Sequence, residues 1–360
     1  AADYTVSKER FGQIDALIGL VVLLFWTLGG GLQWLDEMFR GFAWGELLTG
    51  AVVIISVSMI SSVIDLPASL YRTFVLEERF GFNQSTPKVF FIDLLKTLLL
   101  SLMLGVPLIM LILWLMESAG AYWWIYAWAF LTAFSLLMMW AYPKFIAPLF
   151  NKFKPLEDDA VKTKVEALLE RTGFSSKGVF VMDGSRRSSH GNAYFTGFGK
   201  NKRIVFFDTL LKHLTPNQVE AVLAHELGHF KHKHILQQMI MSFTMSLLGL
   251  AVLAWLMQQT WFYQGLGVEQ SSTYMALILF MLVSPVFTFF IAPIMSLLSR
   301  KNEFEADAFA AKESSADELI SALVSLYKEN ASTLTPDALY SAFYDSHPPA
   351  SIRIAHLQQG

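Results

Sequence analysis

The residues with the clearest capacity for chemistry are five in a row, His225-Glu226-Leu227-Gly228-His229. On a helix, residues four apart lie on one face, so the imidazoles of His225 and His229 can bind the same zinc ion. Glu226 would then flank the metal-bound water. The alternative is a solvated helix with two unrelated histidines, and a third zinc ligand is needed to choose between the two interpretations.

The local sequence predicts a helix around this motif. Thr215 can cap its start, Pro216 suits its first turn, and apolar residues follow at helical spacing, namely Val219, Val222, Leu223 and Leu227. Gly228 is unusual there, because a glycine inside a helix costs roughly 1 kcal/mol relative to alanine. It indicates either close approach by another part of the chain or a tolerated defect.

The composition is that of a membrane protein. Hydrophobic residues make up 54% of the chain and charged residues 16%, with a mean hydropathy of +0.44. A bilayer core of about 30 Å requires roughly 20 helical residues. Six apolar stretches are long enough, at Ile14–Trp34, Leu47–Leu70, Val89–Met116, Tyr122–Leu149, Ile235–Met257 and Tyr274–Leu298.

Lysine and arginine placement predicts the orientation of these six spans. If residues 1–13 are cytoplasmic, Arg40 is the only basic residue of the loops on the opposite side. The loop 71–88 and the stretch 150–234 carry many basic residues and are then cytoplasmic, which agrees with the positive-inside rule. The zinc motif is therefore predicted to face the cytoplasm.

Two features of the composition exclude other chemistry. The chain has no cysteine, so disulfides, thiolate metal ligands and cysteine nucleophiles are excluded, and zinc must rely on nitrogen and oxygen ligands. The net charge is −3, and the topology explains where the basic residues lie. Nucleic-acid binding is therefore not expected.

The third zinc ligand is predicted to be Glu303. It follows the sixth apolar stretch, whose cytoplasmic end should lie near the cytoplasmic start of the fifth. Asp307 comes one helical turn later on the same face, where it can accept the free N–H of a ligating histidine. Glu305 is expected to point elsewhere. The alternative is that these acids form the solvated, charged start of a helix.

The stretch between the fourth and fifth spans predicts a small α+β region. An amphipathic helix is expected at Asp158–Thr172, ending at Gly173. Three β-prone runs follow, at Gly178–Met182, Ala193–Phe198 and Arg203–Phe207, and the turn-like residues 199–202 join the last two into a hairpin. An edge strand of such a sheet can hold a peptide substrate as an added strand, although an ordinary hairpin would give the same pattern.

With these residues in place, the chain resembles the type I CAAX prenyl proteases. Four segments carry the resemblance, Ser185–Phe195 with Lys202–Val205 after it, His225–His229, Glu303–Ala310 and Ser346–Pro349. The resemblance implies a multi-pass helical membrane protein that encloses a water-filled chamber, with a cytoplasmic α+β zincin-type metalloprotease domain of the gluzincin type. It also implies a bilayer environment and a peptide or protein substrate, prenylated in that family.

The resemblance assigns roles to individual residues. It implies that one zinc ion per chain is bound by His225, His229 and Glu303. Glu226 would be the catalytic base and Asn192 would contact substrate on the edge strand. His347 would stabilise the oxyanion, whereas without the resemblance the His-Pro-Pro sequence around it predicts only a loop. Arg353 would either form an ion pair in the site or contact a substrate carboxyl group.

The expected domain organisation alternates between membrane and protease. Residues 1–149 form four spans, 150–234 the protease region with the hairpin and zinc helix, 235–299 two further spans, and 300–360 the helical C-terminal part of the protease domain. Members of the family have seven membrane spans, whereas this chain shows six. Because the chain starts at Ala1 rather than at methionine, a first span is expected to precede it.

Two rival functions remain open. The first is a quality-control protease similar to the HtpX heat-shock proteases, which have the same zinc motif but fewer spans. The second is a membrane scaffold or transport protein with a structural zinc ion, which would need a closed site of four ligands.

Two smaller expectations concern the surroundings of the site. His232 and His234, just after the motif, are expected to be interfacial. The C-terminal residues 356–360 lack a lysine-based retrieval signal, which favours a bacterial inner membrane over the endoplasmic reticulum.

Overall fold

The apolar stretches form long helices in a computed structural model that describes residues 1–176, 178–196, 203–334 and 336–359. The helices of the first 150 residues are α1 (Ala2–Trp26), α2 (Gly31–Arg40), α3 (Glu46–Tyr71), α4 (Pro87–Ser118), α5 (Trp123–Ala141) and α6 (Ala147–Phe150). A π-helical turn extends α3 to Glu77, and another, Tyr142–Ile146, joins α5 to α6. These helices therefore contain the first four predicted spans.

The later helices supply the remaining spans and most of the protease region. They are α7 (Asp159–Thr172), α8 (Asp208–His213), α9 (Pro216–Lys231), α10 (His234–Leu256), α11 (Thr260–Gln264), α12 (Thr273–Thr288), α13 (Ala292–Glu313), α14 (Ala316–Glu329), α15 (Ala338–Tyr344) and α16 (Ala350–Leu357). Helix α7 confirms the predicted amphipathic helix, with Asp158 as its N-cap and Gly173 in the left-handed conformation at its end.

Within the described residues, four helical segments are long and apolar enough to cross a membrane without a sharp bend. Two further spans exist only as bent pairs, α1 with α2 at 47° and α12 with α13 at 60°. Counted as one span each, these pairs bring the total to six, the number predicted from hydropathy.

The first and last spans are nevertheless not the continuous helices expected at Ile14–Trp34 and Tyr274–Leu298. Helix α1 ends at Trp26, and Gly30 then adopts a left-handed φ of 76° before α2 begins. The second break separates Thr288 from Ala292, with a proline inside α12 and another in the first turn of α13. Apolar composition continues through both breaks, so hydropathy cannot detect them.

A four-stranded sheet lies in the protease region. Its strands are β1 (Phe153–Pro155), β2 (Val179–Met182), β3 (Ala193–Thr196) and β4 (Arg203–Phe207), in the order β1-β2-β4-β3. The antiparallel pairing of β3 with β4 confirms the predicted hairpin partners, while its turn at 199–202 lies outside the described residues. Strands β2 and β4 are parallel, and β1 was not predicted. This order leaves β3 at an edge of the sheet.

The two regions have separate apolar cores. The membrane core is centred on residues such as Trp26, Val53, Leu113 and Leu253, and the protease core packs α7, α9 and α14 against the sheet through Leu168, Phe206 and Leu223, among others. Helix α13 runs from one region into the other, so the domain boundary expected at residues 299 and 300 falls inside a helix.

Candidate metal centre

Helix α9 carries the His-Glu-x-x-His motif, and its start is fixed as the sequence predicts. The Thr215 hydroxyl accepts a hydrogen bond from the Gln218 backbone N–H, and the Gln218 side chain accepts one from the Thr215 N–H, which completes a capping box. The helix continues without a break to Lys231. His225 and His229 therefore lie on one face, as expected.

Gly228 is where α9 meets α13. A Cβ atom added at Gly228 would lie 2.8 Å from the Cα of Ala306, closer than real carbon atoms approach. Only a glycine allows the two helices to pack this tightly. The first of the two explanations for Gly228, close approach by another part of the chain, is confirmed. The contact brings the acidic residues of α13 to the histidines of α9.

The ligand atoms of three side chains converge at this contact. His225 Nε2 and His229 Nε2 are 3.2 Å apart, and they lie 3.5 and 3.2 Å from the two carboxylate oxygens of Glu303. Two ligands that each bind zinc at about 2.0–2.1 Å in a tetrahedron are separated by about 3.3 Å. His225, His229 and Glu303 also form the metal-ligand group found among the described residues. The three side chains therefore fit a tetrahedral metal ion.

Glu303 also has the burial and charge expected of a metal ligand. Its side chain is 4% exposed, and among the described residues its Oε2 atom has no hydrogen-bond partner. Burial alone would raise the pKa of Glu303, but the adjacent His225 and His229 outweigh burial and lower it. A buried, ionised carboxylate without a full set of donors is a site that a cation can satisfy.

Asp307 and Arg353 hold His225 at its Nδ1 atom. Asp307 Oδ1 lies 2.8 Å from His225 Nδ1 and accepts its N–H, which leaves Nε2 free for a metal. Arg353 donates to both Asp307 oxygens, at 2.8 and 2.5 Å, and its guanidinium is 3.3 Å from Glu303. Burial would lower the pKa of His225, but Asp307 and Glu303 together raise it to about 9.

The contacts of Arg353 bear on the two roles expected of it. Its side chain is 7% exposed and is committed to Asp307 and Glu303, which is the ion pair in the site. Through these contacts Arg353 supports the metal ligands. Arg353 also lines the cavity beside them, so the other expectation, contact with a substrate carboxyl group, stays a prediction.

His229 has a different support, which sequence reasoning missed. His234 is 1% exposed and its Nδ1 lies 3.0 Å from Nδ1 of His229, while its Nε2 is 3.0 Å from Glu305. His234 is therefore buried within the protein, whereas the ring of His232 is 42% exposed, and the location of both at the membrane interface stays a prediction. Glu305 was expected to point elsewhere, but its carboxylate contacts His234, which in turn contacts the ligand His229. The available signal was the presence of two more histidines, His232 and His234, directly after the motif, but the turn that buries His234 cannot be read from the sequence.

The remaining predicted residues surround a cavity of about 320 Å³ beside the ligands. Glu226, His347 and Asn192 all line it. Burial raises the pKa of Glu226, which makes its carboxylate a stronger base. His347 Nε2 is 3.4 Å from the Glu303 carboxylate, so His347 lies next to the ligand group. Asn192 directly precedes the edge strand β3.

These observations together define a class of protein. Three converging ligands, a carboxylate beside them and an edge strand next to the same cavity form the site of a His-Glu-x-x-His metalloprotease. The long apolar helices that flank this site make the enzyme a multi-pass membrane protein.

Comparison with known proteins identifies the family. A family model described as the CAAX prenyl protease N-terminal region, with five membrane helices, matches residues 1–152, and the model of peptidase family M48 matches residues 155–360. The chain belongs to peptidase family M48. It is therefore a membrane metalloprotease.

Relatives and a solved structure agree along nearly the whole chain. The CAAX prenyl protease 1 homolog of Arabidopsis thaliana is 42% identical, with 82% of this chain and 70% of the relative covered. The human CAAX prenyl protease 1 homolog is 34% identical, with 99% and 84% covered. The crystal structure of S. mikatae Ste24p matches with a TM-score of 0.91 at 35% identity, covering 99% of this chain and 87% of that one. The predicted fold class is thereby confirmed.

Proposed function

We propose that this protein is a zinc-dependent endopeptidase that processes the C-termini of CAAX peptides at the membrane. A CAAX sequence ends in a cysteine, two aliphatic residues and a variable residue, and its cysteine is prenylated. The observation that carries the proposal is the convergence of His225, His229 and Glu303 in a chain similar throughout to CAAX prenyl proteases.

Zinc is the proposed metal because of the ligand set. Two imidazoles and one carboxylate are a common set in catalytic zinc sites, which use three protein ligands where structural sites use four. The group of three on α9 and α13 therefore favours catalysis over the scaffold alternative. When bound, zinc lowers the pKa of water and polarises a carbonyl group.

Glu226 and His347 are the proposed catalytic side chains. Glu226 takes the proton from the attacking water and later delivers it to the departing amine, so one carboxylate serves as base and then as acid. His347 donates a hydrogen bond to the oxygen of the scissile carbonyl as negative charge develops there. Both side chains line one cavity with the metal ligand His225, and His347 Nε2 lies 3.4 Å from the ligand Glu303, which supports both roles.

The substrate is proposed to bind along β3. Its position at the edge of the sheet leaves main-chain groups that can pair with an extended peptide. Asn192 precedes this strand and lines the cavity. Its Oδ1 accepts the backbone N–H of Ala193, and its amide N–H₂ is the group proposed to donate to substrate. A peptide held there would run past Glu226 and the metal.

The site is proposed to face the cytoplasm and to act on substrates at the bilayer. The start of the membrane helix α10 and the protease end of α13 both lie at the ligand group, so the metal is held where membrane helices emerge. The positive-inside pattern supports the orientation. The water-filled chamber that the family resemblance implies is also part of this proposal. A bacterial inner membrane stays a prediction that the eukaryotic relatives named above do not support.

The test compares matched peptides on the purified protein in lipid vesicles. We expect cleavage of a farnesylated CAAX peptide, loss of cleavage after zinc chelation, and recovery when zinc is restored. The same peptide without the farnesyl group should be cleaved at least tenfold more slowly. Equal cleavage of unprenylated, unfolded membrane substrates would instead favour the HtpX-like alternative, and cleavage that persists without metal would contradict the zinc mechanism.

A further inference from the structure

His234 is an unusual residue for the start of a membrane helix. It is the first residue of α10, yet it is 1% exposed. The connection from α9 consists of His232 and Lys233, and Lys233 adopts a left-handed φ of 59°, which a residue other than glycine rarely does. This turn directs His234 back toward α9. A residue is held in this conformation only when surrounding contacts stabilise it.

The hydrogen bonds of His234 connect the metal ligand His229 to a carboxylate. Nδ1 of His234 lies 3.0 Å from Nδ1 of His229, and Nε2 of His234 lies 3.0 Å from Oε2 of Glu305. No other described side chain forms a hydrogen bond with Nδ1 of His229. The position of His229 is therefore coupled to α10 and α13 through a single imidazole.

The chemistry of these groups fixes the direction of each hydrogen bond. An ionised carboxylate can only accept, so Nε2 of His234 carries a hydrogen and donates it to Glu305. Nδ1 of a neutral His234 is then an acceptor, and Nδ1 of His229 must be the donor. Nε2 of His229 is left with its lone pair directed toward His225 and Glu303. The chain of bonds thus selects the tautomer that a metal ligand needs.

We propose that His234 is a positioning residue that fixes the ring and tautomer of His229, and that Glu305 acts through His234. The two metal-binding histidines are then held in parallel ways, His225 by Asp307 with Arg353 behind it, and His229 by His234 with Glu305 behind it. Helix α13 supplies a carboxylate to each arrangement. The inference rests on the proposed zinc site, but it concerns residues to which that proposal gives no role.

A purely structural role for His234 is the alternative. Burial of an imidazole at the start of α10 could serve only to pack the helix. That role predicts a loss of stability when the ring is altered, without a specific loss of metal affinity. The positioning role predicts weaker zinc binding even in a variant that remains folded.

The deciding measurement is the zinc dissociation constant of the full-length protein in detergent, obtained by competition with a chelator. We expect His234→Phe, which keeps the ring but removes the acceptor, to weaken zinc binding about 10–100-fold, the usual effect of losing a residue that orients a ligand. His234→Asn retains an acceptor at the Nδ1 position and should bind zinc more tightly than His234→Phe. His213→Phe, the same change at a partly exposed histidine paired with Glu329, serves as the matched control and should leave the constant unchanged.

Two further measurements keep the test decisive. Glu305→Ala should weaken zinc binding in the same direction and by a smaller factor, and it decides the question if His234→Phe does not fold. Nitrogen chemical shifts of ¹⁵N-histidine-labelled protein should show His229 protonated on Nδ1 and His234 on Nε2. Zinc affinity within threefold of the wild type for His234→Phe, or for Glu305→Ala in its place, would overturn the inference. Failure of the wild type to bind zinc would overturn the proposed function instead.

Discussion

The membrane region and the protease region bury different side chains where their helices meet. In the membrane core the contacts are aliphatic and aromatic, and Asp36, which bonds to Tyr274 and Arg40, is the charged residue buried there among those described. At the contact of α9 with α13 Gly228 packs closely against Ala306, and the buried charged or polar residues are His225, Glu303 and Asp307, with Arg353 beside them. The membrane interface buries mostly apolar side chains, whereas the protease interface combines close helix packing with a group of buried charges.

The difference predicts how each region responds to change. Apolar helix contacts lose stability in proportion to the contacts removed, and neighbouring side chains partly repack. A buried ionic cluster is less tolerant, because removal of one partner leaves an uncompensated charge out of water. We therefore expect single changes in the protease site to have large effects and comparable changes in the membrane region to have small ones.

The largest effect is expected from Glu226→Gln. The amide cannot accept the proton of the attacking water, so kcat should fall by about a thousandfold or more, within the range of a lost general base. Zinc content should be unchanged, since Glu226 is not among the ligands. Peptidase assays beside metal analysis test this, with Glu166→Gln on the exposed face of α7 as the control. An active Glu226→Gln enzyme would remove Glu226 from the mechanism.

Sequence reasoning reached the ligands because their signals are local or periodic. His225 and His229 are one helical turn apart, and Glu303 and Asp307 repeat that spacing on α13. The role of Gly228 was inferred from the energetic cost of glycine in a helix. Only the pairing of Glu303 with the histidines needed a long-range argument, and it came from the expected meeting of the fifth and sixth spans.

The features that were missed depend on backbone geometry that the sequence does not reveal. The burial of His234 follows from a left-handed turn at Lys233, a conformation that lysine does not favour. The breaks within the first and last spans lie inside apolar stretches, and β1 is only three residues long. In each case the local composition is compatible both with the structure that is observed and with the structure that was expected.

The second prediction breaks one ion pair in each region. Arg353→Met leaves the buried Asp307 without its guanidinium partner and with only His225 as a donor, so the free energy of unfolding should fall by about 3–5 kcal/mol. Arg72→Met removes an exposed pair with Asp15 and should cost about 1 kcal/mol or less. Thermal or denaturant unfolding in detergent measures both. Equal losses of unfolding free energy in the two variants would contradict the expectation that the buried ion pair contributes more than the exposed one.

The third prediction removes the metal. A ligand that binds only the folded state stabilises it by about 2.7 kcal/mol when present at a hundred times its dissociation constant. Chelation should therefore reduce protection from hydrogen exchange in α9 and α13, which carry the ligands, and leave α3 and α4 nearly unchanged. Parallel loss of protection in all four helices would mean that the two regions unfold as one unit.

The smallest effect on stability is expected from Gly228→Ala, for which Gly105→Ala is the control. The new methyl group would lie 2.8 Å from the backbone of Ala306, so α9 and α13 must separate, at a cost of about 1–3 kcal/mol. Gly105→Ala in α4 meets no atom within 4 Å and should be neutral or stabilising by up to about 1 kcal/mol, since alanine favours helix. Unfolding midpoints and zinc affinity of both variants make the comparison. If Gly228→Ala matched Gly105→Ala in both measurements, close packing of the two helices would not be what holds Glu303 against the histidines.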